Sequence, residues 1–234
     1  MFRFNWKLTL FTVLMLPVLI TLGFWQLDRE QEKLEMQERY ERRAVEPPVP
    51  IQNLDWLDPD ADLGWMRIEA TGSYLPERQF LLDNRVHASR VGYEALTPFD
   101  TDFGTLLVNR GWLPQGATRQ QLPALPVPEG RHTIAATIYV PDGEMLLLAS
   151  DNPDPDQWPV VVQRLDMEQM SQLSGLSFLP WSVRLEPGAA GLLQPNWQAI
   201  NMQPEMHRGY AVQWFSMAAV LTLLYLLFSF RRSE

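Results

Sequence analysis

Two stretches at opposite ends of the chain carry no charge: Leu8 to Leu27, and Gly209 to Phe230. A helix needs about 20 mostly apolar residues to cross the hydrocarbon core of a bilayer, and both runs are that long. The first could instead be a cleaved signal peptide. Such peptides have apolar regions of about 7–15 residues that end in small side chains, whereas this run is longer and closes on "GFWQLDRE". The second could be a buried core helix, but an uncharged run stopped by Arg231 and Arg232 is more simply a span. The expected architecture is a membrane protein. Two transmembrane helices, 8–27 and 207–230, flank a β-rich (α+β) extracytoplasmic domain.

Flanking charge sets the expected orientation. Arg3 and Lys7 precede the first span, and Arg231 and Arg232 follow the second. Basic residues collect on the cytoplasmic side, and Asp28, Arg29, Glu30, Glu205 and Arg208 give no competing basic excess at the other ends. Both termini are therefore expected in the cytoplasm and the main domain in the periplasm. No Arg- and Ser-rich transit segment precedes the first span, which favours a bacterial inner membrane over a mitochondrial one.

The formal charge is −9 overall, and removing the basic termini leaves the middle more acidic still. Such a domain suits neither nucleic acid nor an anionic lipid surface. The chain has no cysteine. That excludes disulfides, iron–sulfur clusters, thiolate metal sites and thiol catalysis.

After the first span, "DREQEKLEMQERYERR" is charged and helix-prone, so a helical extension over 28–45 is expected. "EPPVP" breaks it. From there to residue 205 the pattern is short β-like runs between turn residues. Strands are expected in "RIEATGSYL", "RQFLLDNRV", "GYEALTPF", "TLLVNRGWL", "HTIAATIYV", "VVVQRL" and "WSVRLEP". "DTDFG" reads as a five-residue hairpin loop with a glycine. "LDMEQMSQLSG" reads as a short helix with Asp166 as N-cap and Gly175 as its stop. The pattern predicts a small antiparallel sheet or partly closed barrel with one or two helices.

No catalytic constellation stands out. Gly-x-Ser-x-Gly, the P-loop, Gly-x-Gly-x-x-Gly and His-Glu-x-x-His are all absent, and no enzyme activity is expected. His87 and His132 stand alone in turn-like settings, without partners at metal-ligand spacing, and read as surface or turn histidines. "DNPDPDQWP" (151–159) reads as an acidic loop, since it lacks the glycine and terminal glutamate of a calcium loop. Asp83–Arg85 and Asn109–Gly111 read as turns or a buried hydrogen-bond network.

Five blocks carry a family likeness. "LGFWQLDREQEK" is similar to the Gly-x-Trp-Gln-x-x-Arg-x-x-x-Lys signature of the surfeit locus protein 1 family, the cytochrome c oxidase assembly factors. "GSYLPERQFLLDNRV", "GYEALTPF" and "LLVNRGWLP" resemble that family's central blocks, in its order. "HRGYAVQWFSMAA" resembles the block that opens its second span. The likeness is weak over about 115–200. Gly23, Trp25, Gln26 and Arg29 match the first block; His207, Tyr210 and Trp214 match the last. The chain departs from the family at Glu205 and Met206, where two asparagines are usual, at Arg208, usually leucine, and at Gln213, usually threonine.

The resemblance implies an assembly role in which haem a is bound or presented for insertion into the catalytic subunit of cytochrome c oxidase. Partners would be that subunit and the haem a synthesis machinery. Antiparallel spans place Trp25 and Gln26 at the height of His207–Trp214, and positions 207, 210, 211 and 214 share a helical face. His207 would be the haem-iron ligand, with Tyr210, Trp214, Gln26 and Trp25 around it. Gly23 would allow close approach of another helix or of a flat ring. Two other readings stay open. His207 and its aromatic neighbours could form an interfacial belt, and the protein could be a scaffold that binds oxidase subunits through the outer domain without ligating haem.

Overall fold

The computed structural model describes residues 6–55, 58, 61–116, 118, 121–140, 157–197 and 203–230. In chain order the elements are α1 (Trp6–Val45), β1 (Val49–Pro50), β2 (Arg67–Tyr74), β3 (Phe80–His87), β4 (Arg90–Thr101) and β5 (Gly104–Pro114). They continue with β6 (Arg131–Tyr139), β7 (Val160–Val162), α2 (Met167–Ser174), β8 (Phe178–Leu185) and α3 (Pro204–Phe230). The chain divides into two compact units: residues 42–198, and the terminal segments 1–41 with 199–234.

The first unit is a closed barrel. Its ring runs β2–β6–β8–β5–β4 and returns to β2 through pairing of β2 with β4, while β1, β3 and β7 extend the sheet outside the ring. Closure uses the length of β4. Its first half pairs with β3, and its last residues, Phe99 to Thr101, pair with Tyr74 to Gly72. At that seam a Cβ on Gly72 would lie 2.1 Å from the carbonyl oxygen of Asp100. Only glycine lets the two backbones meet there.

Three layers of apolar side chains follow from the strand pattern. Residues of alternating parity on β2 and β6 point inward, so Ile68, Ala70, Ile134, Ala136 and Ile138 fill the barrel with Phe99, Leu106, Val108, Val183 and Leu185. β4 and β5 are buried without interruption over Gly92–Phe99 and Leu106–Leu113 because both their faces are covered. On one side Phe80, Leu82, Leu96 and Leu107 meet Met170 of α2; on the other Leu81, Tyr93, Ala95 and Leu113 meet Leu125.

The seven expected strands are present, with three differences. The β4–β5 ladder continues to Thr101↔Gly104, so the hairpin loop is Asp102 and Phe103 alone. β8 joins β5 in parallel, so the sheet is mixed and not simply antiparallel. The long connection through β6 and α2 supplies the crossover that a parallel pair needs. β1 forms in the Pro-rich break and pairs in parallel with β2. The short helix is α2, with Asp166 accepting from the Gln169 N–H and Gly175 left-handed at φ 71°.

Both polar clusters in the central strands have structural roles. Asp83 and Asn84 mark a bulge in β3, where Asn84 takes φ 57°. Asn109 and Arg110 lie in mid-strand, and Arg110 is 2% exposed. Its guanidinium donates to Gly191 O at 2.8 Å, Pro126 O at 2.6 Å and Gln79 Oε1 at 3.3 Å. Burial lowers its pKa below the usual arginine value. Tyr74, beneath it, donates to Ala190 O at 2.7 Å, and burial pushes its phenol up to about 12. The network fastens three loops to the barrel with donors that hydrogen bonds satisfy. Residues 151–156 of the expected acidic loop lie outside the described residues.

Candidate functional site

The second unit pairs α1 with α3. Both are long and apolar enough to cross a membrane. A helix rises about 1.5 Å per residue, so the 40 residues of α1 span about 60 Å, twice a hydrocarbon core of about 30 Å. The charged run after Leu27 continues this same helix without a break. Outward faces are apolar: Phe11, Val13, Leu14, Val212, Val220, Leu227 and Phe228 are all exposed.

The seam between the helices is narrow and made of small or polar residues. Thr12, Gly23, Gln26 and Glu30 are the buried residues of α1; the last three follow the three-to-four spacing of one helical stripe, and Thr12 lies about three turns earlier on it. Ala211 (1% exposed) and Ala218 (6%) face them from α3. Contacts run from Thr9 with Tyr225, through Gly23 with Phe215, to Gln26 with His207. Numbering that rises on one helix falls on the other, as an antiparallel pair requires. A Cβ on Gly23 would lie 2.5 Å from Phe215 Cε1. Phe215 is itself braced edge-on by Phe24, with ring centroids 5.3 Å apart. Gly23 therefore admits the neighbouring helix, and Phe215 takes the space above it.

At the mouth of this pair His207 Nδ1 lies 2.8 Å from Gln26 Oε1. An amide oxygen only accepts, so Nδ1 carries the proton and Nε2 keeps its lone pair when the ring is neutral. One turn further along α1, Glu30 accepts from Arg208 Nε at 2.6 Å. Glu30 is 7% exposed, so it is a buried carboxylate compensated by a largely exposed guanidinium.

The structure brings only part of the expected group together. Gln26 and His207 touch. Trp214 is half-buried on the seam side of α3, while Tyr210 is 47% exposed. Trp25 is also 47% exposed and faces away from the seam, with the Arg29 guanidinium 5.8 Å from its ring centroid. The Glu30–Arg208 pair was missed from sequence, although its signal was present: Glu30 lies one turn from Gln26, and Arg208 follows the histidine. Of the other histidines, His87 ends β3 and bonds Asn196, and His132 lies in β6 with Nε2 2.9 Å from Glu129 O. Among the described residues no group of three or more His, Cys, Asp or Glu is placed to hold a metal ion.

These features define a class: a closed-barrel protein with two terminal helices fit for a membrane and an amide-braced histidine where they pair. The sequence matches the SURF1 family over residues 13–219. An uncharacterized SURF1-like protein of Mycobacterium bovis is 31% identical over 205 residues, covering 83% of this chain and 72% of that one. SURF1-like proteins of Rickettsia bellii and Caenorhabditis briggsae are each 25% identical, covering 89% and 96% of this chain and 85% and 76% of theirs. The chain belongs to the SURF1 family, known generally as oxidase assembly factors.

Proposed function

We propose that this chain is a cytochrome c oxidase assembly factor that binds or presents haem a through His207. On this reading α1 and α3 sit in a bacterial inner membrane, the termini are cytoplasmic and the barrel is periplasmic. The partners are the oxidase catalytic subunit and the machinery that makes haem a. The chain's role is to hold and hand over a cofactor, with no catalysis of its own.

The observation that carries the haem reading is the hydrogen bond from His207 to Gln26 at 2.8 Å. Haem iron takes a neutral imidazole as axial ligand, and such ligands are commonly oriented by a hydrogen bond through the other ring nitrogen. Gln26 gives His207 that orientation and leaves Nε2 as the ligating atom. A macrocycle also needs an apolar, aromatic surface. Phe215 fills the space over Gly23, so the open surface beside His207 is the one carrying Tyr210, with Trp214 on the next turn. Tyr210 would meet polar groups of the haem, and Trp214 would pack against its apolar parts.

The test is the absorbance of the full-length protein purified from a host that makes haem a. His207→Ala should remove most of the bound haem and impair oxidase maturation. Gln26→Leu should lower haem retention by a smaller factor, because it frees the ring without deleting the ligand. Haem unchanged in amount and spectrum in His207→Ala would overturn the reading.

A further inference from the structure

On the barrel unit, the end of the β3–β4 hairpin and the segment 195–197 form a cleft of about 290 Å³. It is lined by Val86, His87, Ala88, Pro195, Asn196 and Trp197. We infer that this cleft docks an extended, apolar segment of a partner polypeptide, reading one peptide N–H and one peptide carbonyl.

Both walls are held in place. His87 Nδ1 lies 3.0 Å from Asn196 Oδ1, and the imidazole lies against Trp112 with ring centroids 5.2 Å apart. Trp112 is tied by its indole N–H to Arg85 O at 2.9 Å and by its backbone N–H to Gln194 O at 2.6 Å. The opposite wall, Trp197, faces Arg184, whose guanidinium lies 3.7 Å from the Tyr139 ring centroid and 6.0 Å from that of Trp197. The hairpin tip is a tight two-residue turn: Ala88 and Ser89, between the paired His87 and Arg90, take φ 46° and 64°, as the commonest hairpin turn requires.

The polar groups fit a peptide unit. With Asn196 Oδ1 as acceptor, Nδ1 carries a proton, and in the neutral ring Nε2 is an acceptor. The same hydrogen bond leaves the amide NH₂ of Asn196 as a donor. An acceptor and a donor side by side match the N–H and C=O of an extended chain. They do not match a carboxylate or phosphate, which offers acceptors only, and the lining holds no arginine or lysine to neutralise one. The rest of the wall is apolar: Val86, Pro195 and the Trp197 ring. Val86 (56% exposed) and its cross-strand partner Val91 (49%) extend that surface beyond the cleft. A small cleft with an apolar rim and a few placed polar groups suits one or two side chains of an anchoring segment.

The experiment uses the full-length chain in lipid nanodiscs and a blocked peptide, N-acetyl-Val-Phe-Val-amide, as probe. Binding is read by ¹⁵N NMR at the indole nitrogen of Trp197, which every variant keeps, and in the wild type also at the imidazole nitrogens of His87, with empty nanodiscs to subtract partitioning into lipid. Saturable binding should perturb His87 Nε2, and His87→Ala should weaken it at least tenfold. Asn196→Asp keeps an acceptor for His87 Nδ1 but deletes the donor, so it should also weaken binding while leaving the ring braced. A probe N-methylated at its central amide should bind at least tenfold more weakly. Failure to saturate at millimolar peptide would overturn the proposal, as would equal binding by wild type, His87→Ala and Asn196→Asp. Neither result bears on haem at His207, which is read separately by absorbance.

Discussion

Gly23→Ala probes how closely the two helices must approach. The new Cβ would lie 2.5, 2.7 and 2.9 Å from Cε1, Cζ and Cδ1 of Phe215, where carbon atoms prefer about 3.5–4.0 Å. The overlap is therefore about 1 Å against three atoms of a ring that Phe24 holds from the side. Either the ring leaves its position or the helices part, and overpacking of this kind costs about 1–3 kcal/mol. Opposing it, alanine is favoured over glycine in a helix interior by about 1 kcal/mol. The net effect should be a loss of about 0–2 kcal/mol in helix association. A second substitution separates the two terms: with Phe215→Ala already made, Gly23→Ala should stabilise by about 1 kcal/mol. The coupling between the sites should thus be about 1–3 kcal/mol. The chain has no cysteine, so a dye pair placed at exposed positions by Trp6→Cys and Phe228→Cys reports on this helix pair alone. Energy transfer followed through an SDS titration in mixed micelles gives the four stabilities of the cycle. A coupling near zero would show that Gly23 is not a contact point for Phe215 and would remove the packing argument.

Three further outcomes are expected. Gly72→Ala forces a Cβ to 2.1 Å from backbone, not from a movable side chain; it should lower the barrel's Tm more than Gly209→Ala lowers it, and hydrogen exchange at the β2–β4 seam should rise. The Glu186 carboxyl is held below the usual glutamate range by its hydrogen bonds and ion pair with Arg67, at 2.6 and 2.7 Å; a depressed pKa gives stability that is present above the unfolded value of about 4.3 and lost as pH falls through the folded one, so the wild-type Tm should drop below about pH 5 more steeply than that of Arg67→Met. Arg208→Leu leaves the buried Glu30 carboxylate unpaired and should destabilise the helix pair more than the double change Glu30→Leu with Arg208→Leu, as a thermodynamic cycle would measure; a double change equal to the sum of the two single ones would mean that the pair carries no coupling.

Elements whose pattern is local were legible in the sequence. α2 is an example: Asp166 caps it and Gly175 ends it, and both are read from neighbours in the chain. The β strands were legible because alternation on β2 and β6 matches a sheet with one buried face. Barrel closure was not, because it rests on a single close approach at Gly72 and on β4 serving two partners. Neither leaves a periodic signal. β1 was hidden by its prolines, which argue against a central strand but are allowed on an edge strand such as this one. At the candidate site, antiparallel spans were enough to bring Gln26 near His207. They could not show which side of α3 Tyr210 would turn to, because that depends on a rotation set by Gly23, Phe215 and Ala211.

That rotation bears on the residues around His207, where the chain departs from the family block. The position after the histidine is leucine in the family block and Arg208 here. On the haem reading proposed above, a bare guanidinium beside the ligating imidazole would disfavour iron, since two positive centres would share a region of low dielectric. Glu30 removes that objection. It lies one turn beyond Gln26 on the same stripe of α1, is almost fully buried, and takes Arg208 in an ion pair at 2.6 Å. Consecutive residues of α3 thus engage consecutive turns of α1: His207 with Gln26 by a hydrogen bond, Arg208 with Glu30 by charge. Because successive side chains diverge by about 100° around a helix, both contacts can be made together only over a narrow range of rotation. The departure at Arg208 therefore adds a second restraint on the direction in which the imidazole presents Nε2, without adding net charge to the site.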